Sequence, residues 1–91
     1  MTQVFIDVRE PEAFQQGHVE GAINIPPMEI MYGSTKIDAL DKNDELILYC
    51  FTGARSNAAM QHFQRQGFVK LANGINKDQV AHKYNKSIVS L

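Results

Sequence analysis

The stretch ILYCFTGARSNAAMQHF, residues 47–63, sets the framework of the fold. It contains Cys50, the only cysteine of the chain. The apolar run of residues 46–50 predicts a buried strand that stops at this cysteine. From Ser56 to Gln66 the apolar side chains recur at helical spacing, and Gly67 is a natural helix stop. The pattern therefore places a lone thiol where a strand ends and a helix begins.

On both sides of this stretch, strand-like and helix-like segments alternate along the chain, which is typical of parallel strands joined by right-handed crossovers. With 91 residues the chain has room for one hydrophobic core, so we predict a single domain over residues 1–91. The expected fold class is α/β, a small parallel sheet between two layers of helices. The predicted strands are 4–8, 21–26, 46–50 and 68–72; the predicted helical segments are 9–17, 28–33, 37–40 and 56–66, with a turn at Asn73-Gly74 and a terminal helix after it.

The composition argues against several classes of function. Nine basic and ten acidic residues leave a net charge of -1, which gives no electrostatic reason to expect nucleic acid or a membrane as a partner. One cysteine cannot form an internal disulfide, and three scattered histidines do not supply a zinc site, so no metal is expected. No apolar run approaches the ~20 residues of a membrane span. The opening MTQVFIDVRE lacks a signal segment, which favours a cytoplasmic protein, although a periplasmic protein with its signal peptide removed would read the same.

The position of Cys50 favours a reactive thiol. Ligands bind beyond the carboxyl ends of parallel strands, and the predicted helix directs its N-terminus back to this point. Gly53 can adopt backbone angles that strain other residues, so the N–H groups of the loop can converge as an anion-binding nest. The helix dipole and the charge of Arg55 add positive potential, which favours thiolate over thiol. The alternative is that Cys50 is a small buried hydrophobic residue, as most free cysteines are.

Two longer motifs resemble those of the rhodanese family of sulfurtransferases. DVREPEAFQQGHVEGAINIP, residues 7–26, is similar to the first signature of the family. YCFTGARSNAAMQHFQRQGF, residues 49–68, is similar to its active-site signature, in which a Tyr-Cys pair precedes a Gly-x-Arg-Ser group. The resemblance covers about residues 4–75, with both motifs in the expected order.

This resemblance implies a parallel sheet of about five strands and a catalytic Cys50 that carries sulfur as a persulfide. The donor would be thiosulfate or another small sulfur-containing anion or persulfide, and the acceptor would be cyanide or a thiol, including a protein thiol. No cofactor is implied. The loop residues, whose amides would hold the outer sulfur, are Phe51, Thr52, Gly53, Ala54 and Arg55, with Arg55 also orienting the donor. Phe51 and Thr52 stand where some members carry a cation, so we expect thiosulfate itself to be a weak donor.

Other readings of the same residues remain open. Cysteine phosphatases place five residues between the cysteine and the arginine, whereas four separate Cys50 from Arg55 here, a smaller loop that suits a single sulfur atom. Cysteine phosphatase or arsenate reductase activity is one alternative. A non-catalytic rhodanese-like module that binds a protein partner is the second alternative. We assign supporting roles to Asp7, Arg9 and Ser56. Asp7 and Arg9 could be catalytic, but we favour structural roles, in which Asp7 braces the loops at the strand end and Arg9 forms an ion pair.

Overall fold

The computed structural model describes residues 2–91. Helices and strands alternate through most of this range, because the apolar β-favouring runs and the capped helical segments alternate in the sequence. In chain order the elements are β1 (Gln3–Asp7), α1 (Pro11–Gln16), β2 (His18–Val19), β3 (Ile23–Asn24), α2 (Pro27–Tyr32), α3 (Thr35–Asp38), β4 (Glu45–Cys50), α4 (Ala54–Arg65), β5 (Leu71–Asn76), α5 (Lys77–Tyr84) and β6 (Ile88–Val89).

The main sheet has four parallel strands in the order β3-β1-β4-β5. The α/β class and the parallel pairing are confirmed, but the main sheet has four strands instead of about five. A separate antiparallel pair joins β2 to β6, with Val19 opposite Ile88. This pair was not predicted, because strands of two residues carry no periodic signal.

Strand β4 lies in the middle of the sheet and divides the core into two halves. Its side chains alternate between the two faces, as the two-residue period of a strand requires. Leu46, Leu48 and Cys50 pack in one cluster with side chains of α2, α3 and α4. Ile47 and Tyr49 pack on the other face, where Val80 of α5 is buried. Helices therefore cover both faces of β4, and Cys50 lies on the face that α4 covers.

Strand β5 differs most from the prediction. Residues 68–70 lie outside it, and the predicted turn at Asn73-Gly74 is wrong, because both residues lie within the strand. The register of β5 against β4 shifts between Leu48 and Tyr49. Just after that shift, Ile75 has a φ of 75°, a left-handed conformation that is unusual for a β-branched residue. The Asn73-Gly74 pair therefore lies at an irregularity within β5 and does not form a turn.

Gly74 is required at this irregularity by packing. A Cβ atom built there would collide with the side chain of Val80 and would lie 3.2 Å from both the Ile47 Cγ2 atom and the Leu48 carbonyl oxygen. The backbone of β5 can therefore approach β4 and α5 closely only without a side chain at this position. In residues 2–91 no helix is long and apolar enough to cross a membrane.

Candidate active site

Cys50 is held where β4 gives way to α4. The strand ends at Cys50, and the loop turns through Gly53, whose φ of 92° lies in the left-handed region that favours glycine. Helix α4 then begins at Ala54, two residues before the predicted start at Ser56. Because the first N–H groups of a helix have no carbonyl of their own helix to bond, this early start turns free donors toward the strand end.

Several hydrogen-bond donors converge on the Cys50 sulfur. The backbone N–H of Gly53 donates to Sγ at 3.1 Å, and that of Ser56 donates at 3.4 Å. The Ser56 hydroxyl lies 3.4 Å from the same sulfur. Burial raises the pKa of Cys50, but hydrogen bonds from the Ser56 hydroxyl and from the amides of Ser56, Gly53 and Thr52 outweigh it, so the pKa lies below its usual value. The arrangement stabilises a thiolate in a side chain that is only 2% exposed.

The outer part of the loop faces solvent. Phe51, Thr52, Ala54 and Arg55 are exposed. The Phe51 ring lies near two guanidinium groups, with the Arg9 Cζ atom 5.3 Å and the Arg55 Cζ atom 6.0 Å from its centroid. The lowered pKa of Cys50 comes from hydrogen bonds, and Arg55 is not among its causes. Arg55 forms no salt bridge with any residue between 2 and 91, so its charge is available at the rim.

Asp7 and Arg9 form a buried ion pair at the end of β1. The Arg9 Nη2 atom lies 2.7 Å from the Asp7 Oδ2 atom, and the two side chains are 4% and 0% exposed. Arg9 also donates to the carbonyl of Gly17, while the Asn24 amide donates to the carbonyls of Asp7 and Arg9 at 3.0 and 2.9 Å. None of these hydrogen bonds involves the Cys50 sulfur. The pair connects the loop that follows β1 to the end of α1 at Gly17, beside the strand that carries Cys50.

A groove of about 380 Å³ runs beside the loop between α2 and α4. Its walls include Ile30 and Met31 from α2 and Ala58 from α4, and its polar groups include Arg55 and His62. Arg55 therefore belongs both to the loop around Cys50 and to this mostly apolar groove.

Sequence reasoning missed Asn73 as a member of the site. Its side-chain amide donates to the carbonyl of Gly53 at 2.9 Å and accepts from the Ser56 hydroxyl at 2.7 Å. The prediction of a turn at Asn73-Gly74 gives no reason to place the Asn73 side chain beside the loop. No local pattern in the sequence places the Asn73 side chain beside this loop.

Comparison with known proteins points to one family. The model of the rhodanese-like domain matches residues 1–80. The thiosulfate sulfurtransferase PspE of Escherichia coli is 41% identical over 70 residues, which are 76% of this chain and 65% of PspE. YrkF of Bacillus subtilis, whose name describes a sulfur carrier, is 35% identical over 68 residues, 75% of this chain and 35% of YrkF. The chain thus spans less than two thirds of either relative.

A solved structure extends the likeness to the whole fold. A rhodanese from E. coli, determined with anions, superposes with a TM-score of 0.83 and 34% identity, covering 99% of this chain and 100% of that one.

Proposed function

The chain belongs to the rhodanese-like domain family, and from this premise we propose that it is a sulfurtransferase that carries a sulfane sulfur as a persulfide on Cys50. The convergence of amide donors on a free, buried sulfur is the observation that carries the proposal. Donors placed in advance around a charged sulfur stabilise it without reorganisation during the reaction. They also lower the pKa of the thiol, which increases the fraction present as the nucleophilic thiolate.

The reaction has two displacements at sulfur. In the first, the Cys50 thiolate attacks the outer sulfur of thiosulfate, the S–S bond of the donor breaks, and sulfite leaves with the electron pair. In the second, cyanide or an acceptor thiolate attacks the outer sulfur of the persulfide, and Cys50 leaves again as a thiolate. Both nucleophiles are already anions, so neither step needs a general base.

The start of α4 supplies the binding site for the transferred sulfur. The amides of Gly53 and Ser56 bond the inner sulfur, and those of Ala54 and Arg55, the first two residues of α4, are assigned to the outer one. The partial positive charge of the helix N-terminus acts on both sulfur atoms. Arg55, exposed and without a carboxylate partner among the described residues, attracts the anionic end of the donor.

The groove between α2 and α4 favours donors and acceptors larger than thiosulfate. It gives an organic thiol or persulfide an apolar surface next to Arg55. Phe51 and Thr52 place an aromatic ring and one hydroxyl at the exposed part of the loop, where thiosulfate oxygens would need cations. We therefore expect slow turnover with thiosulfate and faster sulfur transfer from an organic persulfide.

Intact mass spectrometry tests the proposal directly. After incubation with thiosulfate or an organic persulfide, the wild-type chain gains the mass of one sulfur atom, and a reductant removes it. The Cys50→Ser variant gains nothing and shows no thiosulfate:cyanide activity. Equal background in both proteins, with both folded, would refute the sulfurtransferase proposal and favour a non-catalytic binding module.

A further inference from the structure

Asn73, on β5, is connected by hydrogen bonds to both sides of the loop that holds Cys50. Its Nδ2 group donates to the Gly53 carbonyl at 2.9 Å. Its Oδ1 atom accepts from the Ser56 hydroxyl at 2.7 Å and from the Ile75 backbone N–H at 3.0 Å. One side chain therefore links the irregular part of β5 to the residue whose amide and hydroxyl face the sulfur.

The orientation of the Asn73 amide is determined by its neighbours. The Gly53 carbonyl can only accept a hydrogen bond, and the Ile75 N–H can only donate one. A flipped amide would place oxygen against oxygen and N–H against N–H, so Oδ1 must face Ile75 and Ser56. Asn73 therefore presents an acceptor to Ser56, and the Ser56 hydroxyl must donate to it.

The Ser56 hydroxyl has one proton and three acceptors within reach: the Asn73 Oδ1 atom at 2.7 Å, the Gly53 carbonyl at 3.2 Å and the Cys50 sulfur at 3.4 Å. The Gly53 carbonyl already accepts from the Asn57 backbone N–H and from the Asn73 amide, both at 2.9 Å. While Cys50 is a neutral thiol, the Ser56 hydroxyl therefore donates its hydrogen bond to the Asn73 Oδ1 atom. The thiol S–H then donates to the Ser56 oxygen.

Ionisation of Cys50 removes the hydrogen bond from its S–H to the Ser56 oxygen, because a thiolate can only accept hydrogen bonds. We propose that Asn73 is a positioning residue that competes with the Cys50 thiolate for the single proton of the Ser56 hydroxyl. When the sulfur becomes charged, the hydroxyl turns toward it and gives up its short bond to Asn73. Asn73 thus restrains the reactivity of Cys50, and its effect passes through Ser56. This role concerns the same sulfur as the proposed sulfurtransferase activity and rests on that function.

Charged side chains on the neighbouring elements do not connect Asn73 to Cys50 in place of Ser56. Asp7 and Arg9 are paired with each other at the end of β1, and Lys77 and Asp78 are paired at the start of α5. Arg55 on α4 lies beside the Phe51 ring. The residues of β5, LANGIN, include no titratable side chain. In the described part of the chain none of these charged groups is hydrogen-bonded to Ser56 or Asn73.

The pH dependence of Cys50 alkylation measures this competition, and the lone cysteine makes the signal unambiguous. Asn73→Ala is expected to lower the apparent pKa of Cys50 by roughly half a unit to one unit, because the hydroxyl no longer has to leave an acceptor at 2.7 Å. Ser56→Ala is expected to raise it. In a Ser56→Ala background, Asn73→Ala should cause no further change.

Two further variants keep the result interpretable. Asn73→Leu fills similar space without an acceptor and should lower the pKa in the same way, if the alanine variant is poorly folded. Asn76→Ala removes a different β5 side chain, which caps α5 by accepting from the Gln79 N–H at 2.9 Å, and should leave the pKa of Cys50 unchanged.

A pKa that rises or stays constant in Asn73→Ala, or that changes equally with and without Ser56, would overturn the role assigned to Asn73. Alkylation needs no sulfur donor, so it separates the two proposals. Sulfur uptake that fails while the alkylation profiles behave as expected would refute the sulfurtransferase proposal and leave the role of Asn73 intact.

Discussion

Replacement of Gly53 by alanine tests how much of the Cys50 environment depends on one backbone conformation. Gly53 is buried and has a φ of 92°, and a side chain in this region costs about 1–2 kcal/mol. The added Cβ would lie 3.5 Å from the nearest atoms of Asn73 and Ile75, which is ordinary contact, so the cost is that of the backbone alone. For a domain with roughly 5–14 kcal/mol of total stability, the melting temperature should fall by about 4–16 °C.

Gly53→Ala should also destabilise the thiolate form of Cys50. If the backbone relaxes toward negative φ, the Gly53 N–H turns away from the Cys50 sulfur that it now contacts at 3.1 Å. A hydrogen bond to a charged group contributes about 1.5–3 kcal/mol, which corresponds to a rise of about one to two units in the pKa of Cys50. Alkylation at neutral pH should then slow about tenfold or more.

Gly21→Ala is the matched control. Gly21 has a φ of 85°, and no heavy atom lies within 4 Å of a Cβ built there. It should therefore lose similar stability in urea or thermal unfolding, while its alkylation rate stays at the wild-type value. Full stability in Gly53→Ala, or alkylation in Gly21→Ala that is slowed as much as in Gly53→Ala, would refute the role assigned to the Gly53 backbone.

Three further predictions follow from packing and charge. Asp7→Asn leaves the buried Arg9 guanidinium without its carboxylate and should cost about 3–5 kcal/mol in urea unfolding; a loss below about 1 kcal/mol would contradict the structural importance of the pair. Gly74→Ala forces a methyl group against Val80 and should cost about 1–3 kcal/mol, whereas Gly17→Ala, where the nearest atoms to a new Cβ lie at 3.6 Å, should cost much less in the same assay. Because the pKa of Cys50 is lowered in the native state, ionisation stabilises the fold at high pH. The difference in unfolding free energy between wild type and Cys50→Ser should therefore rise between the native pKa and the usual value of ~8.5 and be lost as pH falls through the native pKa; a flat or falling difference across a pH series would contradict it.

The surroundings of Cys50 could be predicted because they depend on local chemistry. A fully apolar run, a glycine three residues after its end and a helical pattern beyond it require a strand, a left-handed turn and a helix in that order. The start of α4 at Ala54 could not be predicted, since residues 54 and 55 have no helical periodicity of their own before Ser56. Arg55, which was expected to favour the thiolate, is not among the causes of the lowered pKa of Cys50.

The residues that sequence reasoning missed depend on contacts distant in the chain. Asn73 reaches the loop because β5 pairs with β4 through a register shift, and nothing near Asn73 in sequence specifies that shift. The preference of Asn-Gly for turns is a local tendency, and close packing of Gly74 against β4 and α5 overrides it. The pairing of β2 with β6 likewise joins residues about 70 positions apart.

The pairing of β2 with β6 has a practical consequence for anyone who trims this chain. The family match ends at residue 80, yet Val19, fully shielded from solvent, is paired with Ile88 beyond that boundary. A version cut at the boundary would lose the second half of α5 and all of β6, which leaves β2, within the first signature, with an unpaired edge and exposed apolar surface. Such a fragment would be prone to self-association, so a shortened version of the domain should keep residues 81–91.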